Sequence, residues 1–394
     1  MNNWMEIEKQ YYMFCARRQP ITIVRGSGSR VWDDAEKEYL DFTAGWACDS
    51  LGHCHPAVVE AITKQAGTLL QTSNQFYTLP QLDLAKLLVE NSCLDKVFFC
   101  NSGAEANEGA IKLARKYGKE NLEGAFEIIT ANNSFHGRTM TTVSATGNIN
   151  YQVNFLPLTP GFIHVPFNSI DAIKENTNKN TCAVMLEPIQ GEGGVNVPDL
   201  NYLREVRSWC DENNILLILD EVQTGMGRLG KLFGYELYGI EPDVITLAKG
   251  MGGGVPIGAF LTKEHCNVLR PGDHGSTFGG NPLTCAAAFA CCNYIVQNDL
   301  PAYVNQIGAV LKTGLEDIAS RHESFITEIR GEGLLLAVEL SKEASGDLVA
   351  ACNNQGLLLN SVRPNAVRFM PPLNVSEDDV ALGLVRFENA INSL

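Results

Sequence analysis

What most constrains this chain is a series of short apolar runs, each ending in a polar residue at a loop. Cys182-Ala183-Val184-Met185-Leu186 leads into Glu187, Ile215-Leu216-Leu217-Ile218-Leu219 into Asp220, and Val244-Ile245-Thr246-Leu247 into Ala248-Lys249. Runs of four or five such residues read as strands buried on both faces. They alternate with helix-patterned segments from about residue 56 to 265, which implies a mainly parallel, doubly covered sheet. Ligands of such sheets bind beyond the carboxyl ends of the strands. Glu187, Asp220 and Lys249 all fall there.

Lys249 is followed by Gly250-Met251-Gly252-Gly253-Gly254, which lets backbone and ligand approach closely. A desolvated lysine loses part of its proton affinity and becomes a nucleophile toward carbonyls. On this stretch alone, a solvated lysine before a flexible loop reads equally well. Asp220 favours the chemical reading. A lysine closing one buried strand and a carboxylate closing another are the two groups a pyridoxal phosphate site needs, one for the Schiff base and one to keep the pyridine nitrogen protonated. A structural salt bridge between the two is the alternative.

At 394 residues the chain exceeds the roughly 250–300 that one core supports, so two domains are expected. The net charge is -15 with no basic block, which argues against nucleic acid and anionic membrane as partners. Met1 to Gln10 carries Glu6, Glu8 and Lys9 and reads as neither signal peptide nor anchor. Twelve cysteines without a CxxC pair read as reduced thiols in a cytoplasmic protein. His53-Cys54-His55 has no second cluster to complete a metal site, so no metal is expected.

Further candidates follow in chain order. Lys96 to Cys100 is a short strand, and Asn101-Ser102-Gly103-Ala104 opens an alanine-rich helix running to about Lys116. Strand, small-residue turn and helix N-terminus suit one small phosphate at Ser102, Gly103 and Ala104; a plain capped helix is the commoner outcome. Phe135 could stack on a flat ring, and Arg138 offers a fork for a carboxylate. Glu192 lies in a glycine-rich loop after Glu187, and Ser276-Thr277 place two hydroxyls in another. The last hundred residues read as a compact α+β domain packing with the β-rich N-terminal segment.

These stretches, in order, resemble the class III (ω-amino acid) aminotransferases of pyridoxal phosphate fold type I, the aspartate aminotransferase-like fold. The motifs are Tyr39-Leu40-Asp41-Phe42, Gly52-His53-Cys54-His55-Pro56, Phe98 to Ala106, Phe135-His136-Gly137-Arg138-Thr139, Glu187-Pro188-Ile189-Gln190-Gly191-Glu192, Asp220 to Gly225, Ala248-Lys249-Gly250 and Ser276 to Pro282. The resemblance implies a large cofactor-binding domain over 56–282, a small α+β domain over 283–394, and an N-terminal segment, 1–55, packed with the latter.

It also implies roles. Lys249 would carry pyridoxal 5'-phosphate and shuttle the proton, and Asp220 would hold the pyridine nitrogen. Gln223 would reach the ring hydroxyl, with Glu221 and Val222 also at the cofactor. Phe135 would stack on the ring, and Ser102, Gly103 and Ala104 would bind the phosphate. Thr277 would bind the phosphate of the other subunit's cofactor, making a homodimer. Arg138, with Ser276 nearby, would hold the donor's α-carboxylate, while Glu192 and Arg368 would alternate between substrates. The implied reaction is ping-pong transfer of the δ-amino group of N2-acetylornithine to 2-oxoglutarate, giving N-acetylglutamate 5-semialdehyde and glutamate in arginine biosynthesis. Succinylornithine, ornithine, 4-aminobutyrate or a lysine derivative are alternative donors, and a mutase or decarboxylase on the same fold is a further alternative. At Trp46, where ornithine-using relatives carry tyrosine, an indole N–H cannot accept a hydrogen bond from a free ammonium. That favours an acylated donor; plain core packing is the other reading of Trp46.

Overall fold

The computed structural model describes residues 4–394. Its centre is a seven-stranded sheet in the order Lys96–Cys100, Gly258–Thr262, Val244–Leu247, Leu216–Asp220, Thr181–Leu186, Glu127–Ala131 and Phe162–Val165. Every strand runs parallel to the others except Gly258–Thr262, which is antiparallel to both neighbours. The runs that end in Glu187, Asp220 and Lys249 are buried along their whole length, as continuous apolar strands covered on both faces must be. Adjacent registers such as Asp220 to Thr246 bring their carboxyl ends to one side of the sheet.

Helix Gly103–Asn121 crosses one face and runs five residues beyond the expected end. Its buried side is built from small residues, Ala106, Gly109, Ala110, Ala114 and Gly118 among them. A Cβ at Gly109 would stand 2.3 Å from the Phe260 ring, so this glycine permits the helix to lie directly on the antiparallel strand. Neither that strand nor Phe162–Val165 is evident from sequence.

The C-terminal region builds a second sheet, all antiparallel, in the order Ile326–Glu332, Leu335–Leu340, Ala366–Phe369 and Asn360–Arg363. Of these, the apolar runs Leu334 to Leu340 and Val367 to Met370 are the ones that read as strands from the sequence alone. A third sheet joins Ile23–Ser27, Arg30–Asp33 and Glu38–Asp41 to Leu357–Leu358, so the opening of the chain pairs with its end. Among the described residues no helix is long and apolar enough to cross a membrane.

Between the third sheet and the first comes a left-handed turn. Ala44, Gly45, Trp46 and Ala47 have φ of 43°, 60°, 58° and 64°. Each non-glycine residue there costs about 1–2 kcal/mol. Asp41 holds the turn: its Oδ1 accepts from the N–H groups of Thr43 (2.9 Å) and Ala44 (3.0 Å), and His53 Nε2 stands 2.8 Å from its Oδ2.

Candidate active site

At the carboxyl ends of the strands lies a cavity of about 490 Å³, within the range of small-molecule sites. It gathers Ser102, Gly103, Ala104, Phe135, Arg138, Glu192, Asp220, Val222, Gln223 and Lys249 from five separate segments of the chain.

Lys249 leaves its strand with φ 38°, which turns the side chain into the cavity. Burial lowers its pKa; the Glu192 carboxylate opposes that, and the Arg368 guanidinium reinforces it. The result is an amine more readily neutral than a surface lysine, the form that attacks carbonyls.

Asp220 closes the neighbouring strand and is 4% exposed. Asn107 Nδ2 donates to its Oδ2 at 2.8 Å, and His136 Nδ1 stands 2.8 Å from the same oxygen. A carboxylate only accepts, so Nδ1 carries the proton. Asn107 Nδ2 also donates to the His136 carbonyl at 2.7 Å, locking histidine and aspartate together. The sequence argument missed both partners. His136 sits beside Phe135 inside a motif already singled out, and Asn107 lies one helical turn past the Ser102–Ala104 turn; those positions were the available signals.

The side wall is a pair of opposite charges. Arg368 is fully buried, and its Nη2 donates to Glu192 Oε1 at 2.8 Å. Its Nη1 donates to Gln223 Oε1 at 3.0 Å, and its Nε to Asn360 Oδ1 at 3.3 Å. Arg368 does not line the cavity, because Glu192 lies across it. Burial alone would raise the Glu192 pKa; Arg368 and then Lys249 outweigh this and hold the carboxyl below its ordinary value. Glu187 also lines the cavity, at 6% exposed. Burial, reinforced by the charge of Asp220, pushes its pKa well up.

Besides Arg368, four expected residues stand apart from the cavity. Glu221 is turned away: its Oε1 accepts from the Tyr235 N–H at 2.8 Å and its Oε2 from Thr224 Oγ1 at 3.2 Å. Neighbours at a strand end face opposite ways, so Asp220 and Glu221 could not both enter. Thr277 and Ser276 belong to an adjoining cleft with Asn101, Glu105 and His274. Asn101 Nδ2 donates to Ser276 Oγ at 3.2 Å. Trp46 is 58% exposed, so it neither lines the cavity nor packs in a core; the left-handed turn puts its indole outside. Arg138 is exposed at the rim, its Cζ 3.7 Å from the Tyr151 ring centroid, a cation–π contact the sequence did not suggest.

The fit to pyridoxal phosphate rests on what these residues leave unsatisfied. Gln223 Nε2 is buried without a hydrogen-bond partner. The helix beginning at Gly103 opens its N-terminus onto the cavity, where free N–H groups suit a phosphate. A Cβ at Gly103 would come within 2.9 Å of Val222, so only glycine allows that approach. A buried carboxylate, an available amine and an aromatic face complete a set that matches the cofactor's ring nitrogen, aldehyde and plane.

The chain belongs to the class-III aminotransferases, whose family model matches residues 13–391. The family depends on pyridoxal 5'-phosphate. The chain is 50% identical over 388 residues to the acetylornithine aminotransferase of Caldanaerobacter subterraneus subsp. tengcongensis, covering 98% of each. Among solved structures it superposes on the ornithine aminotransferase of Toxoplasma gondii ME49 with a TM-score of 0.96 at 36% identity, covering 99% of this chain and 94% of that one. It superposes on the acetylornithine aminotransferase of Elizabethkingia anophelis with a TM-score of 0.89 at 33% identity, covering 99% and 98%.

Proposed function

We propose that this protein transfers the δ-amino group of N2-acetylornithine to 2-oxoglutarate, forming N-acetylglutamate 5-semialdehyde and glutamate, a step of arginine biosynthesis. The observation that carries the reading is Glu192 lying across the buried Arg368. One pocket must serve a donor whose amine-bearing carbon has no carboxylate beside it and an acceptor whose keto carbon does. With the donor, Glu192 neutralises the guanidinium; with the acceptor it swings aside, and the carboxylate beside the keto group takes its place. Arg368 stays held by Gln223 and Asn360 in both cases. The choice of an acetylated donor rests on relatives such as that of Caldanaerobacter.

When bound, pyridoxal phosphate supplies an electron sink for the carbanion at the amine-bearing carbon. The chain supplies the rest. Lys249 holds the cofactor and then, as a free amine, moves the proton at that carbon. Asp220, locked in place by Asn107 and His136, would face the ring nitrogen and hold the proton there. Gln223 Nε2 would donate to the ring hydroxyl, Phe135 would cover one face, and Ser102, Gly103 and Ala104 would hold the phosphate. Arg138, beside Tyr151, meets the donor's α-carboxylate at the rim.

The active unit is proposed to be a homodimer in which Thr277, outside this chain's own cavity, serves the phosphate of its partner's cofactor and Ser276 lies nearby. Exposed Phe76, Tyr77 and Phe278, at 65%, 94% and 62%, suit burial against a second copy. Residues 56–282 are proposed as the cofactor-binding domain, with 1–55 joined to the small domain, 283–394. Twelve unpaired cysteines suit a cytoplasmic setting.

The closeness to the Toxoplasma enzyme supports ornithine as a second reading. The test mixes the cofactor-loaded protein with N-acetylornithine, N-succinylornithine, ornithine or 4-aminobutyrate and follows loss of the cofactor's visible absorbance. N-acetylornithine should bleach it fastest, and 2-oxoglutarate should restore it while forming glutamate. Ornithine in the lead would replace the acetylornithine reading.

A further inference from the structure

Two loops form facing walls of the cavity: Ala131 to Arg138, which carries Phe135, and Glu187 to Asn196, which carries Glu192. They touch through two side chains of the second loop. Gln190 Nε2 donates to the Asn132 carbonyl at 2.8 Å, on the side away from the cavity. Glu187, lining the cavity, is the other. Its Oε2 accepts from the Phe135 N–H at 3.2 Å, and its Oε1 from the Gly191 N–H at 3.3 Å. One carboxyl group therefore holds the backbone of the residue facing the ring and the backbone immediately before the residue covering Arg368.

We propose that Glu187 is a positioning residue that fixes Phe135 and Glu192 relative to each other, so that Glu192 can swing by its side chain alone while its backbone stays in place. This rests on the reading of Phe135 and of the Glu192–Arg368 pair given above. Fixing the backbone at Gly191 matters because Glu192 must return to the same place in every cycle. A loop free to drift would leave Arg368 unshielded while the donor is bound, and would weaken the preference for acceptors with a carboxylate beside the carbonyl. Gly191 has no room to adjust: a Cβ there would overlap Gln223 Oε1 at 1.6 Å. Drift of this backbone would therefore also displace Gln223, which Arg368 and the ring hydroxyl share.

Because Gln190 continues to join the loops, Glu187→Ala should fold. Glu187→Gln keeps the volume and one acceptor oxygen, and so provides the conservative control. Three quantities would be measured on cofactor-loaded protein: visible circular dichroism of the bound cofactor, the donor half-reaction with whichever amine bleaches the wild type best, and the ratio of 2-oxoglutarate to succinate semialdehyde efficiency in the acceptor half-reaction, the second acceptor lacking only the carboxylate beside the carbonyl. In Glu187→Ala the acceptor ratio should fall roughly five- to tenfold, the scale of one lost hydrogen bond, and the cofactor's dichroism should change as Phe135 shifts. Glu187→Gln should lie between this variant and the wild type. An unchanged ratio and unchanged dichroism, with both half-reactions reduced by one common factor, would overturn the proposal and leave Glu187 a structural residue. Failure of the donor assignment would show separately, in the wild type, as a different amine leading.

Discussion

Replacing Arg368 by alanine separates the two half-reactions. The guanidinium is fully buried, and its Nη2 lies 2.8 Å from a carboxylate oxygen, the place where the carboxylate beside the acceptor's keto group would dock. Truncating one partner of such a buried charge pair costs about 2–5 kcal/mol, or roughly 30- to several-thousand-fold. That loss should fall on 2-oxoglutarate. The donor makes no ion pair there, so its half-reaction should change by no more than about fivefold, the worth of one neutral contact. Without the cation Glu192 loses its largest opposing influence and keeps burial against the smaller effects of Lys249 and Gln223, so its pKa should rise. Arg368→Lys retains the charge without the fork and should fall between the two. Stopped-flow absorbance gives each half-reaction, and equilibrium titration gives 2-oxoglutarate affinity directly. The cofactor's spectrum must be compared first, because Gln223 loses a partner as well. Equal losses in both halves, with an unaltered spectrum, would refute the alternating pair.

Borohydride reduction of the loaded protein should leave cofactor mass on the peptide containing Lys249, and label on any other lysine would refute its role. Asp220→Ala should still take up cofactor yet lose turnover by roughly 10²-fold or more, as expected when a charge poised at the reacting system is removed; undiminished turnover would count against it. Trp46→Tyr should raise the bleaching rate with ornithine relative to N-acetylornithine if the partner subunit turns this exposed indole into the shared site, and an unchanged ratio would remove Trp46 from specificity. Glu221 is 1% exposed, and burial raises its pKa from 4.5 to about 7. Because the folded protein holds this proton more tightly than the unfolded chain, the contribution, about 3 kcal/mol at most, is fully present below pH about 4.5 and lost as pH rises through about 7. Glu221→Gln should therefore flatten the fall in melting temperature between about pH 5 and pH 8, and an unaltered slope would be the contrary result.

Asp220 and Lys249 were legible because each ends a buried apolar run, and a polar residue at that point has to face a site or carry a costly orphan charge. Gln223, Phe135 and the Ser102–Ala104 turn followed from the same strand–turn–helix grammar together with the family resemblance. The assignment failed at Glu221, where runs of polar residues after a strand do not reveal which neighbour faces inward. It stopped short of Asn107 and His136, since their contact with Asp220 spans 113 and 84 residues. No local pattern encodes such a meeting. The turn at 44–47 was equally invisible, because three of its four left-handed residues are not glycine and the backbone is held by the acceptor Asp41 together with bonds across the turn itself, Ala47 N–H to Thr43 and Asp49 N–H to Ala44.

The single antiparallel strand bears on the order in which the site assembles. Val244–Leu247 and Gly258–Thr262 pair as immediate neighbours in sequence, Leu247 opposite Ala259, so Lys249 rides on a hairpin that closes over a short loop. Asp220 reaches the same edge only through a parallel pairing, Asp220 to Thr246, which requires the intervening chain to cross over first. Contacts close in sequence form sooner than distant ones. Lysine, glycine loop and return strand can therefore be in place as a local unit, while the carboxylate opposite them arrives with the rest of the sheet.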